Sequence, residues 1–395
     1  METYLKHYKA RITAKAPIFI GDGTKTGKKE FIYSERDEKV YIPDMGRFFS
    51  FLSSRGLEDA YTEYMLYSGN KDLGRWLYEQ QIYRKEYLEF IAYTLDAGDA
   101  LIDSGRGGNT KDSGAKAREI LRFVKDAKGR PYVPGSSIKG MTRTALLAYE
   151  ISNDEGLRER YKKNIHDDLA KIDQAGKSGA QNRRQDRKKL LSSQTQCLEQ
   201  EVLHTIERYD PKKKEYIKKS NAVCSNMSGL IISDSVPLKT DALVLCQKID
   251  FTKDGRENPL PILREALKPG TEIFFDLTID SRIFPYDIKI ILEALNKYQQ
   301  AMYNSFYSRF GRGCSDEGTV WLGGGCGFPS KTVIDAICGK ETVDYTARIF
   351  KTTVNNREHK HDLDVSGYGI SPHVCKCTRY QNRLYDMGQG KIEIL

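Results

Sequence analysis

In Tyr8-Lys-Ala-Arg-Ile-Thr-Ala14 apolar and polar residues take turns, the two-residue rhythm of a half-buried strand. A glycine-rich basic stretch, GDGTKTGKKE, follows as a loop, and residues 31–33 and 40–42 flank the polar turn SERDEK as a hairpin. From Phe48 to about Ile102 the period changes to that of helices, with no β-rich run between, which predicts a helical insertion over about 48–116. Its last part, residues 103–116, has the Gly, Ser and Lys content of an exposed loop. EILRFVKDAKGRPYVP then reads as a second hairpin, leading into YVPGSSIKGMTRTALL, a strand that turns through Pro-Gly-Ser-Ser into a helix. A charged stretch over 153–219 reads as a second helical insertion.

Beyond it, GLIISDS, ALVLCQKID and GTEIFFDLTID are β-rich. The next segment sets Ile288, Ile291, Leu292, Leu295, Tyr298 and Met302 on one helical stripe, which predicts core packing. GTVWLGGGCGFPSKTVIDAI repeats the earlier plan of strand, glycine turn, lysine and helix. Strands and helices thus interleave twice, and the expected fold class is α+β: two ferredoxin-like sandwiches, one in 1–240 with both insertions and one in 241–395 with the glycine-rich loop at 323–327.

Charge sharpens this picture because it is uneven. Residues 157–219 hold 17 Lys or Arg against 10 Asp or Glu, so they supply +7 of the net +9 of this 395-residue chain. Such runs are most often solvated helix faces, and phosphate contact is the alternative. No apolar run approaches the ~18 residues of a membrane span, and no basic-then-apolar leader opens the chain, so the expectation is a cytoplasmic protein without a membrane partner. The eight cysteines form no CxxC pair and are expected to be buried thiols.

Four places invite chemistry. In the Pro-Gly-Ser-Ser turn, Ser136 or Ser137 is expected to cap the helix, while Lys139 and Arg143 share an exposed face. Free N–H groups, Gly135, a hydroxyl and two cations would make a cradle for a phosphate backbone, against the alternative of an ordinary capped helix. GDGTKTGKKE is not a nucleotide-binding P-loop: five residues separate Gly21 from Gly27, three separate Gly23 from Gly27, and Lys28 precedes Lys29 where Ser or Thr is required. LGGGCGFPSK again exposes backbone near a lysine, Lys331, and Gly323, Gly324 and Gly325 permit close approach by a ligand.

His359, His361, His373, Cys375 and Cys377 raise a zinc question, but the spacings are HxH and CxC, and the CxC thiols are expected on opposite faces of a strand. ARIFKTTV and HVCKCTRY read instead as late sheet or tail. No cofactor is expected. For catalysis no GxSxG, HExxH or SxxK pattern stands out; the local HDD at His166 to Asp168 lacks further metal ligands, and His7 on the first strand is a candidate only for a metal-independent ribonuclease.

The set APIFIGDG…KKEFIY, YVPGSSIKGMTRTALL, GGGCGFPSKTV and HVCKCTRYQNRLYDMG resembles the RAMP proteins of CRISPR systems, most of all the type III-A Csm-complex subunit at the 3′ end of the guide RNA. The resemblance implies two RRM-like domains with large helical insertions and a non-catalytic role: holding the 3′ portion of the CRISPR RNA, capping the row of adjacent Csm backbone subunits and supporting maturation of the guide's 3′ end, with trimming by recruited host ribonucleases. RNA contact is implied for Gly21, Gly23, Lys28, Lys29, Gly135, Ser136, Lys139, Arg143, Gly323, Gly324, Gly325 and Lys331. No RNP1-like pattern appears, so contact is expected with phosphates and 2′-hydroxyls. A RAMP-family endoribonuclease is the alternative.

Overall fold

The structure, a computed structural model, describes residues 4–102, 119–177, 184–354, 361 and 363–395. The chain runs β1 (Leu5–Ala14), β2 (Gly21–Gly27), the hairpin β3 (Ile32–Ser34) and β4 (Lys39–Pro43), helices α1 (Met45–Ser54), α2 (Glu58–Tyr67) and α3 (Leu73–Glu79), then β5 (Ile91–Asp96) and β6 (Glu119–Phe123). Next come α4 (Gly135–Asn153), α5 (Glu155–Lys177), α6 (Arg184–Leu203), the ribbon β7 (Tyr209–Asp210) and β8 (Glu215–Tyr216), and β9 (Leu230–Ile232). β10 (Leu243–Thr252), β11 (Glu257–Leu267), β12 (Glu272–Asp280), α7 (Ile288–Ser305), β13 (Thr319–Trp321), α8 (Ile334–Cys338), α9 (Thr342–Thr353), β14 (Val374–Tyr380), β15 (Arg383–Asp386) and β16 (Gln389–Ile394) complete it. Asp44, Asp72 and Asp287 start α1, α3 and α7 by accepting backbone N–H bonds.

One sheet has the order β13-β16-β1-β12-β9, with every neighbour antiparallel. Counting β1, β9, β12 and β16 as first to fourth, the order is 4-1-3-2, and α4 and α7 follow the first and third strands; this is a βαββαβ unit. Ala10, Ile12 and Ala14 of β1 and Ile273, Phe275, Leu277 and Ile279 of β12 face the core that Ile138, Ala145 and Leu146 of α4 and Ile291, Ala294 and Leu295 of α7 close. The expected α7 stripe is therefore the one that packs.

The second sheet is threaded differently, β15-β14-β10-β11-β6-β2, with β11 and β6 parallel. Both sheets take strands from either side of residue 240. A third, β3-β4-β5, docks through Tyr93, whose hydroxyl donates to the buried Glu265 of β11; Glu265 also accepts from the Phe123 amide and from Lys125. A buried carboxylate of this kind is tolerable only because each oxygen is satisfied.

Several expectations change. GDGTKTG is not a loop but the edge strand β2, pairing with β6 around an irregularity between Gly21 and Lys25; backbone pairing and the buried Thr26 hold it despite weak strand propensity. The first insertion is helical only through residue 89. Residues 91–96 return as β5 because β4 offers them an unpaired edge. The expected hairpin after β6 forms only as a short turn over 124–132, closed by the Asp126–Arg130 and Tyr132–Val124 backbone bonds and a Lys125–Pro131 bridge, since β11 and β2 take both edges of β6 itself. ARIFKTTV lies mostly in helix α9, where packing overrides its β-branched content. The notional loop at 103–116 lies outside the described residues. No helix among those described is long and apolar enough to cross a membrane.

A strap at 17–20 crosses from the end of β1 to β2 and ties the sheets together. Ile18 exchanges both backbone bonds with Leu267 of β11, the Gly324 amide donates to the Phe19 carbonyl at 2.7 Å, and the Gly388 amide donates to Pro17. A β-carbon on Gly323 would lie 2.2 Å from that Phe19 oxygen, and its φ of +85° is already in the region that disfavours side chains. Gly323→Ala should therefore lower stability by about 3 kcal/mol in chemical denaturation. An unchanged midpoint would mean that the strap is not held against this glycine.

Candidate nucleic-acid interface

The mouth of α4 is built differently from its sequence expectation. Pro134, not Ser136 or Ser137, precedes the helix, and neither serine caps it. The Gly135 amide instead donates to Asp234 Oδ1 at 2.8 Å, and a β-carbon there would sit 2.2 Å from the Ile232 carbonyl oxygen. A carboxylate 99 residues away thus meets the positive end of the helix, which a short-range capping argument does not foresee. Ser136 remains exposed beside it.

Lys139 and Arg143 differ in environment. Burial alone pushes the Lys139 ammonium below its ordinary pKa, and among the described residues no ion pair is recorded for it. Arg143 pairs with Glu199 of α6 at 2.9 Å. It also lines, with Lys331, a cavity of about 350 Å³ between α4, α5, α6 and residues 328–337. Glu199 is the one acidic group in that lining, beside Ser192, Gln194, Thr195 and Thr332. Arg143 and Lys331, from two motifs far apart in sequence, thus line one cleft walled by the basic insertion, whose remaining lining is largely apolar, with Leu147, Ile165, Leu198, Phe328 and Ile337.

The other expected residues divide. Gly21 and Gly23 are exposed on β2, with open space at Gly23, whereas Lys28 is buried. Lys29 donates to the carbonyls of Tyr64 and Met65 and lies over the Tyr64 ring, so it clamps the C-terminal end of α2. Gly323, Gly324 and Gly325 pack on protein: the first two on Phe19, the third on Met387 and Arg264.

Beneath that glycine run lies a cationic group that sequence reasoning missed. Lys376 of β14 and Lys248 of β10 lie 2.8 and 3.9 Å from Asp250 Oδ1, and Arg264 of β11 is near enough to feel its charge. Desolvation first, then the neighbouring cations, pulls the Lys248 ammonium down; desolvation also pulls the Arg264 guanidinium down. Arg264 lies over the Phe19 ring at 5.5 Å. Three cations around one carboxylate leave positive charge that an anion would neutralise. The available signal was the alternation Lys248, Asp250 on one face of an otherwise apolar strand.

The remaining candidates are structural in their contacts. Asp168 accepts from Gln194 and pairs with Lys171, and His166 meets the Tyr345 hydroxyl, so HDD joins helices. His7 Nδ1 pairs with Thr278 Oγ1 at 2.8 Å across the first sheet. Near the C-terminus His361 and His373 bind opposite oxygens of the buried Asp364 through Nδ1, at 2.8 and 2.7 Å, and Ser371 donates to it; His359 lies outside the described residues. Cys375 and Cys377 do not point to opposite faces. Residues i and i+2 of a strand share a face, and both thiols turn toward Asp386.

A βαββαβ sheet, a strap packed under a glycine-rich turn and two groups of cations define an α+β scaffold. The RAMP superfamily profile matches residues 11–328, and the chain belongs to that superfamily. Among its curated relatives, the CRISPR system Cms protein Csm5 of Mycobacterium tuberculosis (strain CDC 1551 / Oshkosh) is 26% identical over 100% of this chain and 99% of its own length. The Csm5 of Streptococcus thermophilus is 27% identical over 84% and 82%. Among solved structures, a chain of the cryo-EM structure of a Csm–crRNA–target RNA ternary complex in a type III-A CRISPR-Cas system superposes with a TM-score of 0.62 at 18% identity, over 98% of this chain and 100% of that one. The crystal structure of T. onnurineus Csm5 gives 0.56 at 18%, over 96% and 99%. The motif resemblance to Csm-complex RAMP proteins is thereby shown.

The histidine-bound Asp364 carries a pH prediction. Hydrogen bonds from His361, His373 and Ser371 outweigh burial and hold its carboxyl down at about 2, against an ordinary 3.8. A depressed folded-state value stabilises above the unfolded value and ceases to do so as pH falls through the folded one. The stability gap between wild type and Asp364→Asn should therefore be full above pH 4, narrow as pH falls below 3.8 and close near 2. A gap independent of pH, measured by urea denaturation, would contradict the assignment.

Proposed function

We propose that this protein is a non-catalytic CRISPR RNA-binding subunit of a type III-A effector complex, seated at the 3′ end of the guide. There it caps the row of Csm backbone subunits and supports 3′-end maturation in the cytoplasm. The observation that carries the RNA part is that Arg143 and Lys331 line one cleft walled by α4, α5, α6 and residues 328–337. The uncompensated charge at Lys248, Arg264 and Lys376, and the half-buried Lys139, support it. The placement in a Csm complex rests on the Csm5 relatives and on the fold shared with a chain of the Csm–crRNA–target RNA complex.

In this reading the βαββαβ sheet is one RRM-like unit and the second sheet a modified partner, with the helical insertions as additions. Lys and Arg with hydroxyls suit phosphates and 2′-hydroxyls, so any spacer sequence is tolerated. Host ribonucleases recruited to the complex would trim the exposed guide end. His7, whose recorded partner is the hydroxyl of Thr278, is the residue on which the alternative ribonuclease would depend.

The Arg143→Ala, Lys331→Ala double variant should weaken single-stranded RNA binding similarly for unrelated sequences, and lower the slope of log affinity on log salt by about 1.4. Fluorescence anisotropy across a salt series reads both. A loss confined to one sequence, or an unaltered slope, would remove the cleft from the interface. The purified chain should leave repeat RNA uncut with or without divalent metal; cleavage abolished by His7→Ala would establish the ribonuclease instead.

A further inference from the structure

The pair Cys375 and Cys377 is a place where the first expectation reverses. Both thiols are buried on one face of β14, and Cys377 stands directly opposite Asp386 of β15. The two sulfurs lie 3.8 and 3.6 Å from Asp386 Oδ1, and the three ligand atoms fall within 4.8 Å of one another. A tetrahedral zinc with ordinary Zn–S and Zn–O bonds sets its sulfur and oxygen corners about 3.5 Å apart. The spacing is that of three corners of such a tetrahedron.

The histidine cluster nearby has the opposite metric. Its Nδ1–oxygen separations of 2.7 and 2.8 Å are shorter than the about 3.3 Å edge of a nitrogen–oxygen zinc site. Those are hydrogen bonds, and they satisfy Asp364 without an ion.

We propose that Cys375, Cys377 and Asp386 hold one zinc ion, which staples β14 to β15, with a water at the fourth corner. Asp386 is already oriented for this. Arg312 Nε donates to Oδ1 at 2.6 Å and the Gly313 amide to Oδ2 at 2.9 Å, the outer hydrogen bonds that fix a ligating carboxylate. Binding releases the two thiol protons to solvent, and the Zn²⁺, two thiolates, Asp386 and Arg312 then sum to zero charge. Neutrality matters because the site is buried among Tyr307, Trp321, Ile249 and Ile370. The staple lies beside Met387, on which Gly325 packs, so it would stiffen the sheet edge under the glycine-rich turn.

The test uses the tag-free full chain. After dialysis, elemental analysis should find about one zinc per chain in the wild type and less than about a tenth of that in Cys375→Ser, Cys377→Ser, while His361→Ala, His373→Ala keeps its zinc. Because the cysteine variant can fail to fold, wild-type protein stripped with chelator under reductant is also titrated with Co²⁺. A thiolate-to-cobalt charge-transfer band with visible tetrahedral absorption, saturating near one equivalent, is expected. Zinc-free wild type without that band overturns the proposal, as does zinc lost with the histidines but kept without the cysteines.

Discussion

The fold depends on one close approach: the strap at 17–20 lies so near the glycine-rich turn that no side chain fits at Gly323, and the Phe19 carbonyl takes the Gly324 amide. Residues near the start of the chain and others more than three hundred positions later are thereby locked together. The strap also gives Leu267 of β11 its last pair and receives Gly388 from the turn between the final strands. The strap thereby joins β11 of the second sheet to the turns next to β13 and β16 of the first. Burial of the Phe19 ring beneath Arg264 carries the constraint into the cationic recess, so the packing that joins the sheets also positions charge.

Electrostatics divides the basic residues into those satisfied by the fold and those left over. Some charges of the second insertion are paired: Arg160 with Glu201, Lys162 with Glu341 and Asp173 with Arg348 lace α5, α6 and α9 together. Such exposed pairs each contribute little to stability, but they leave those cations less available to a partner. Outside that insertion, positive charge gathers at Lys139, at Lys331 and at the Lys248–Arg264–Lys376 group, whose nearest carboxylate is Asp250. The partly buried cations among these, Lys139, Lys248 and Arg264, are costly to desolvate in the free protein, and a polyanion relieves that cost.

Local patterns were readable wherever one period dominates. The hairpin at 31–42, helix α4 and the α7 stripe followed directly from spacing, whereas the close approach expected of a ligand at the glycine-rich turn is made by the strap. What failed was nonlocal or weakly patterned. β2 carries the glycines and polar residues of an edge strand, so it resembles a loop; β5 is short and follows a long helical run; Asp234 caps α4 from 99 residues away. The face shared by Cys375 and Cys377 was legible, since a strand repeats every two residues, but the two thiols were expected on opposite faces. Of the expected site residues, Arg143 and Lys331 converge, Lys29 is taken by α2, and the triple glycine serves the strap. Lys248, Arg264 and Lys376 come from three strands whose adjacency only the sheet order reveals.

The most direct test of the 3′-end role is to co-express the chain with a CRISPR array and the remaining complex subunits, using the wild type and the triple variant Lys139→Ala, Arg143→Ala, Lys331→Ala. The purified assemblies are then compared for subunit content and for guide-RNA 3′ ends. The account predicts complexes that lose this subunit or carry long, untrimmed guides in the variant. Unchanged subunit content together with unchanged ends would contradict it.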